Sequence, residues 1–189
     1  MIRAGTYTNI ENHRELESQK FSSSFFCHSR AVMRINNNVM NYTFDGSRVF
    51  FTSDTHFNHT NIIRFCDRPF GSTEEMNEKL IGNHDLKNMK QGFIGRFEHV
   101  AMEMRIEIGK QKIYLNHYPF LCFEGGYKDV WQLFGHVHTR KNNTGIDAGR
   151  LQYLYPTQYD VGVDNNDFMP VSFEQVKKII EKQVKESKI

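Results

Sequence analysis

The chain has 189 residues, of which 39% are hydrophobic and 24% charged, and its net charge is +2 at neutral pH. This is the length and composition of one globular domain with its own core. So small a net charge gives no argument for nucleic acid or an anionic membrane as a partner. No apolar run reaches membrane-spanning length, and no apolar signal core begins the chain. Three scattered cysteines, an odd number, indicate reduced thiols rather than a disulfide framework, so we expect a cytoplasmic protein.

Residues 1–45 carry few structural signals. The charged stretch 11–19 has no apolar stripe, and the serine-rich and asparagine-rich stretches at 21–26 and 36–38 are typical of loops. We therefore expect residues 1–45 to form a poorly structured extension and residues 46–189 to form the domain. Met40 could equally be the natural start, because organised sequence begins just after it.

A short apolar strand followed by two polar side chains is the first strong signal. Residues 49–52 are apolar or β-branched and predict a buried strand, and Asp54 and His56 follow it directly. In open α/β sheets, sites collect at the carboxyl ends of strands. If the strand geometry persists, the two side chains point to the same side. A carboxylate and an imidazole aimed at one point form half of a divalent-metal site.

The next stretch predicts two short helices and then a polar loop. Thr60 can cap the first helix, and Ser72-Thr73-Glu74-Glu75 is a capping box that opens the second, which runs to about Leu80. Gly82-Asn83-His84-Asp85 then arrives with no strand before it.

The second half of the chain predicts strands that end at histidines. Residues 100–108 alternate between apolar and charged, which indicates a half-buried strand. A turn at 109–111 leads to a return strand, 112–116, that ends at His117. Residues 131–134 form another apolar strand, ending at Gly135-His136-Val137-His138, and residues 159–163 are a further candidate. Ser172-x-x-Gln175 caps a C-terminal helix with an apolar stripe facing the sheet.

Polar clusters thus recur where strands end. Each has an ordinary explanation alone: His117 could be a satisfied core histidine, and Asn83-His84-Asp85 could be a turn. The Gly-His-x-His sequence is rarer, because two imidazoles two residues apart after an apolar strand must be solvated or ligated. Together the clusters favour a metal site over coincidence.

These motifs, in this order, resemble the calcineurin-like metallophosphoesterases. The resemblance is carried by Asp54-Thr55-His56, Gly82-Asn83-His84-Asp85, His117 and Gly135-His136-Val137-His138, and it covers residues 42 to 181. The segment from Ser53 to Phe70 is similar to a small bacterial and phage branch of that superfamily. The resemblance implies an α/β fold in which two mixed sheets are sandwiched between helices, with a two-metal site at the strand ends.

The resemblance also implies roles for individual residues. Asp54, His56 and His138 would hold a first metal ion, and Asn83, His117 and His136 a second. His84 would act on the phosphate as general acid or transition-state stabiliser, with Asp85 orienting it. His59 and Arg68, near the first motif, are candidate substrate-phosphate contacts, against the alternative of ordinary surface or capping contacts. Mixed nitrogen and oxygen ligands favour Mn²⁺, or Fe, Ni or Zn.

The chain departs from the family at one place. The family has a Gly-Asp motif between its first two motifs, and that aspartate bridges the two metals, whereas the interval between Asp54 and Asn83 contains no such motif. A central βα segment is thus missing, and either one or two metal ions per chain are compatible with the sequence. We expect a metal-dependent phosphoester hydrolase acting on a small phosphodiester or phosphomonoester, without a membrane partner or a clear nucleic-acid surface. The alternative is an impaired or inactive metal-binding remnant.

Overall fold

The computed structural model describes residues 46, 49–80, 103–139 and 148–187 in full, and the backbone of residues 2–4, 32–36, 39–44 and 99–101. Within these residues the fold is α/β. The strands are β1 (Ile2–Ala4), β2 (Val32–Asn36), β3 (Val39–Phe44), β4 (Phe50–Phe51), β5 (His99–Ala101), β6 (Glu103–Ile108), β7 (Gln111–Asn116), β8 (Trp131–Phe134), β9 (Gln158–Asp160) and β10 (Val171–Ser172). The α-helices are α1 (Thr60–Phe65), α2 (73–80) and α3 (Phe173–Glu186), and 3-10 helices cover Ala148–Tyr153 and Val163–Asn165.

Six strands form a mixed sheet in the order β2-β3-β6-β7-β8-β9. The β7-β8 and β8-β9 pairs are parallel, and β6-β7 is an antiparallel hairpin. Strand β4 pairs with β10, and the segment that leaves β4 makes a parallel bridge between Ser53 and Gly162, just beyond β9. The carboxyl ends of β7, β8, β9 and β4 therefore meet along one edge.

The main core lies between the large sheet and α3. The alternation of β6 buries Met104, Ile106 and Ile108, and α3 contributes Val176 and Ile180. Each such side chain stabilises the fold by about 1.5–3 kcal/mol relative to an exposed position. The core thus fixes the sheet whose edge carries the polar residues.

A smaller core lies beneath the two short helices that follow β4. It consists of Ile62, Phe70 and Met76, with Phe168 packed against it. These contacts hold the segment 57–80 beside the strand ends.

Most of the strands expected in the second half are confirmed. Strands β7 and β8 lie close to where the pattern places them, and β9 begins and ends a little earlier than expected. The single strand expected over residues 100–108 is divided between two strands: β5, which pairs with β1, and β6, which lies in the large sheet. The C-terminal capping box is confirmed: the Ser172 hydroxyl accepts from the Gln175 amide at 3.3 Å, and Gln175 accepts from the Ser172 amide at 2.9 Å. None of the helices in the described part of the chain combines the length and apolar character needed to cross a membrane.

Helix capping near the first motif differs from expectation. The N-cap residue of α1 is His59, without a side-chain cap bond, so the capping role given to Thr60 is wrong. At α2 the box is half formed. The Glu75 amide donates to the Ser72 hydroxyl at 3.1 Å, but the Glu75 carboxylate accepts from the Gly71 amide instead.

Of the extension expected over residues 1–45, the structure describes only the backbone of residues 2–4, 32–36 and 39–44, which form strands, and the rest of that expectation lies outside the described residues. Strands β2 and β3 form a hairpin at one end of the large sheet, and β3 runs parallel to β6. Strand β1 pairs with β5. The boundary expected at residue 45 therefore separates two strands from the sheet to which they belong.

Candidate metal centre

The candidate site lies at the joined carboxyl ends of four strands. Backbone hydrogen bonds run from the Ser53 amide to Val161, from the Val161 amide to Phe134, and from the Gly135 amide to His117, at 2.9–3.1 Å. This places the loops after β4, β9, β8 and β7 side by side. The first motif and the two histidine motifs, separated in sequence, meet here as the sequence predicted.

Asp54 is the centre of the site and is completely buried. Its Oδ2 atom accepts hydrogen bonds from the Ser53 hydroxyl at 2.9 Å and from the His136 amide at 2.8 Å. Its Oδ1 atom has no hydrogen-bond partner. Burial raises the pKa of the Asp54 carboxyl to about 6, although the nearby His138 partly offsets this.

Glycine at position 135 is required by the close approach to Asp54. A Cβ atom at Gly135 would lie 2.2 Å from Asp54 Oδ2 and 2.3 Å from Ser53 Oγ. No side chain fits at such distances, so the glycine of the Gly-His-x-His motif allows the loop after β8 to reach the carboxylate.

Three histidines approach the unpaired oxygen of Asp54 or lie beside it. His56 Nε2 is 4.0 Å and His117 Nδ1 is 3.7 Å from Asp54 Oδ1. Ligand atoms of Asp54, His56 and His138 all lie within 4.8 Å of one another and could hold a metal ion. These are the three residues to which the resemblance gave the first metal.

The pKa values of these histidines are shifted in opposite directions. Burial and the neighbouring His138 lower the pKa of His56 to about 3, and burial with the neighbouring His136 lowers that of His117 to about 4. Both imidazoles are thus neutral at pH 7, the form that binds metal. Burial also disfavours charge on His138, but hydrogen bonds with Asp164 and Cys66 and the nearby Asp54 raise its pKa to about 10.

Asp164 is a site residue that the motifs did not reveal. Its Oδ2 atom lies 2.6 Å from His138 Nδ1, and the carboxylate is buried. Burial acts to raise its pKa, but the bonds from His138 and Arg68 outweigh this and lower it. A carboxylate behind a ligating histidine fixes the tautomer and the ring orientation. The signal that could have found it is its position directly after a predicted strand, like Asp54.

Cys66, His138 and Asp164 form a second group with metal-ligand atoms close together. The 2.6 Å separation between His138 and Asp164 is a hydrogen-bond length, shorter than the spacing of roughly 3.4 Å between two ligands of one tetrahedral ion. This group therefore orients His138 and is not a second cation site.

Arg68 does not have the role that the sequence suggested. Its side chain is completely buried, and its guanidinium makes five hydrogen bonds: two to Asp164, one each to the carbonyls of Asp54 and Thr55, and one to Met76 Sδ. Every N–H is used, so none is left for a substrate phosphate. Neither the expected substrate contact nor the alternative of ordinary surface or capping contacts describes Arg68, because its buried guanidinium binds the first motif and Asp164. We call this arrangement the Arg68 clamp.

The backbone of the two His-containing motifs is left-handed at alternate residues. The φ angles are +56° at Asp54, +52° at His56, +70° at His136 and +47° at His138. The strand geometry therefore does not persist through the first motif, and the reason given for Asp54 and His56 sharing one side is wrong. Their side chains converge because the loop turns at each of them.

The remaining predicted site residues fall into two groups. His59 lies beside His56, with their Nδ1 atoms 3.4 Å apart, and the His117 and His136 rings have their centroids 5.1 Å apart. Asn83, His84 and Asp85 lie outside the described residues. The roles given to these three and to His59 stay predictions.

Comparison with known proteins finds one archaeal relative. No family model and no solved structure match the chain. An uncharacterized protein of Methanocaldococcus jannaschii is 28% identical over 169 aligned positions, which cover 71% of this chain and 92% of that protein. Because 71% of 189 residues is about 134 residues, about 35 of the 169 positions have no counterpart in this chain. The similarity assigns no activity.

Proposed function

We propose that this protein is a metal-dependent phosphoesterase of the calcineurin-like type, hydrolysing phosphodiesters or small phosphomonoesters. The observation that carries the proposal is the buried Asp54 carboxylate, whose unpaired Oδ1 lies among His56, His117 and His138. A buried charged oxygen without a partner is costly unless a cation satisfies it. Imidazole and carboxylate ligands suit Mn²⁺, Fe, Ni or Zn better than Mg²⁺ or Ca²⁺.

Two further features support the proposal. The site lies where parallel strands end, as expected for a ligand site in an α/β fold. The archaeal relative has about 35 residues within the aligned region that this chain lacks, which agrees with the loss of a segment of roughly 30 residues, one βα unit. We accordingly propose the family's two mixed sheets between helices as the parent architecture.

The residues of this chain would divide the work as follows. Asp54, His56 and His138 hold a divalent cation, and Asp164 keeps His138 Nδ1 occupied so that its other nitrogen is available. A bound cation supplies neutralisation of phosphate-oxygen charge and makes water acidic enough to react at neutral pH. His84, oriented by Asp85, gives a proton to the leaving oxygen of the substrate. The resemblance gives Asn83, His117 and His136 to a second cation.

The second candidate is a metal-binding remnant without turnover. It is favoured by one specific observation, the missing Gly-Asp segment, because the family's bridging carboxylate belongs to it. Under this alternative the ligands still bind metal while phosphoesters are not hydrolysed.

The test is hydrolysis of bis-p-nitrophenyl phosphate with added Mn²⁺. We expect turnover that depends on Mn²⁺ and a loss of about 10²–10⁴-fold in His84→Ala with metal binding unchanged, since a general acid contributes that much. Lys178→Ala, an exposed change on α3, is the matched control and should behave like the wild type. If the folded, metal-loaded wild type hydrolyses the substrate no faster than His84→Ala, the phosphoesterase proposal is rejected and the metal-binding remnant is favoured.

A further inference from the structure

We propose that Tyr118 is a substrate-binding residue, whose ring packs against a planar aromatic group carried next to the phosphoryl group of the substrate. This assignment deepens the proposed function and rests on it. It narrows the substrate class from phosphoesters in general to phosphoesters that bear an aromatic group.

Tyr118 lies in the loop that leaves β7, beside the candidate metal centre. Its ring packs against two imidazoles, with its centroid 4.8 Å from that of His117 and 4.6 Å from that of His136. The interplanar angles of 68° and 65° give the T-shaped arrangement that aromatic pairs favour. His117 in turn has its Nδ1 atom 3.7 Å from Asp54 Oδ1. The tyrosine ring therefore borders the place where the proposed function puts the substrate phosphate.

Much of Tyr118 stays accessible in spite of these contacts. The residue is 51% exposed, and His136 beside it is exposed as well, whereas His117 is buried. A single exposed aromatic residue is ordinary on a protein surface. Here, however, the accessible aromatic surface adjoins the imidazoles of the candidate site, so a ring attached to a bound phosphoryl group can lie against it.

The backbone at Tyr118 is fixed by hydrogen bonds on both sides. Its amide donates to Asn116 Oδ1 and its carbonyl accepts from Gln132 Nε2, both at 2.8 Å. Gln132 is completely buried and also accepts from the Phe120 amide at 2.9 Å, while the buried Gln158 donates to the Phe120 carbonyl at 2.9 Å. A contact residue whose loop is already ordered loses less entropy on binding, so Tyr118 is preorganised to receive a ligand.

The test measures the binding of three phosphonates to the Mn²⁺-loaded protein by isothermal titration calorimetry. Phosphoester hydrolysis does not cleave the P–C bond of a phosphonate, so the measurement is independent of turnover. Phenylphosphonate carries the aromatic ring, cyclohexylphosphonate a ring of similar size that is not aromatic, and methylphosphonate neither. We expect phenylphosphonate to bind about tenfold more tightly than methylphosphonate, because stacking on one aromatic ring contributes that much. It should bind about 2–10-fold more tightly than cyclohexylphosphonate, since an aromatic pair gains this beyond the area it buries.

Variants of Tyr118 assign the preference to its ring. Tyr118→Ala should bring the affinities for phenylphosphonate and cyclohexylphosphonate within about twofold of each other, because the aromatic partner is lost. Tyr118→Leu keeps apolar volume against the imidazoles and should have the same effect, which guards against a folding artefact. Tyr118→Phe keeps the ring and should keep the preference, which distinguishes packing from a hydrogen bond to the hydroxyl.

Tyr127 provides a matched control. It is 72% exposed, and the carbonyl of its neighbour Gly126 accepts from the hydroxyl of Thr157, directly before β9. Tyr127 therefore lies near the amino end of that strand, whereas the candidate site lies at the carboxyl ends. Tyr127→Ala should leave all three affinities unchanged.

Three results would contradict the role of Tyr118. Equal binding of the three phosphonates by the wild type would overturn it and leave the phosphoesterase proposal intact. The same follows if Tyr118→Ala and Tyr118→Leu weaken all three phosphonates by one common factor, because the tyrosine would then only support the histidines. If protein that holds Mn²⁺ binds none of the phosphonates, both the role of Tyr118 and the phosphoesterase proposal are overturned.

Discussion

Replacing Arg68 by alanine should destabilise the fold by about 3–5 kcal/mol, the cost of breaking a buried ion pair by removing one partner. The guanidinium is completely buried and donates to Asp164 at 2.9 and 2.7 Å and to the carbonyls of Asp54 and Thr55 at 2.7 and 3.0 Å. Without it, a buried carboxylate loses its bidentate partner and two loop carbonyls lose their donors. For a chain of this size the melting temperature should fall by about 6–20 °C.

The assay is urea unfolding followed by circular dichroism, with a matched arginine as control. Arg64 lies one turn away on α1, is exposed, and contacts only the ring of Phe65 among the interactions described, so Arg64→Ala should change the free energy of unfolding by less than about 0.5 kcal/mol. Arg68→Lys should fall between the two, since an ammonium group cannot reproduce the planar fork. A free energy of unfolding for Arg68→Ala within about 1 kcal/mol of the wild type would refute the clamp.

Three other outcomes are expected. Asp164→Asn should weaken Mn²⁺ binding about 10–100-fold by titration calorimetry, because the carboxylate orients His138; unchanged affinity would show that orientation is set elsewhere. Gly135→Ala should destabilise the protein by about 1–3 kcal/mol in thermal unfolding, since its Cβ meets Asp54, while Gly149→Ala, with open space around it, should be neutral; equal effects would contradict this. Because the pKa of His138 is about 10, Mn²⁺ should displace close to one proton at pH 7–8 and bind more tightly as the pH rises towards 10. Calorimetry in buffers of different ionisation enthalpies measures the protons released, and a binding enthalpy that is the same in every buffer would contradict this prediction.

The raised pKa of His138 also determines how the stability of the metal-free protein changes with pH. The pKa of His138 is raised from 6.5 to about 10. The stability that this histidine contributes to the folded state is therefore complete below pH 6.5 and is lost as the pH rises through 10. The pKa values of His56 and His117 are lowered, to about 3 and about 4, so these two residues favour unfolding as the pH falls below 6.5. These opposing effects predict greatest stability of the metal-free form between them, near neutral pH.

Strands that carry a strict period could be predicted from the sequence. Residues 103–108 alternate because one face of β6 meets the core and the other does not. Residues 131–134, three of them apolar, are buried throughout because β8 lies between two parallel neighbours. The α3 cap was predictable because both of its bonds are local. Where a pattern reflects contacts within a few residues, or burial of one face, the sequence alone predicts the element.

Residues 32–44 were missed for a different reason. The alternation of Met40, Tyr42 and Phe44 with Asn41 and Thr43 is a strand signal. The three asparagines just before it are typical of a loop, and they favoured the prediction of a loop here. The partner that stabilises β3 is β6, more than 60 residues later. Pairing at that distance leaves no local trace.

Arg68 and Asp164 were misread or missed because their meaning is also non-local. They are 96 positions apart, and neither belongs to the motifs that carried the resemblance. An arginine near a phosphate-type motif suggests a substrate contact, and only the burial of its side chain and the count of its hydrogen bonds assign it to the scaffold.

The backbone of the site argues that its geometry is functional. Four of the residues expected to bind metal are left-handed, and such a conformation costs roughly 1 kcal/mol or more for each of them, about 4 kcal/mol together. That is a large share of the 5–15 kcal/mol by which a domain is stable. A structural histidine cluster has no need of this cost, since it could satisfy its nitrogens in relaxed loops. The Arg68 clamp and the Asp54 hydrogen bonds hold the strained loops together, yet they leave Asp54 Oδ1 and His117 Nδ1 unpaired, which is the arrangement expected where a cation is to be bound.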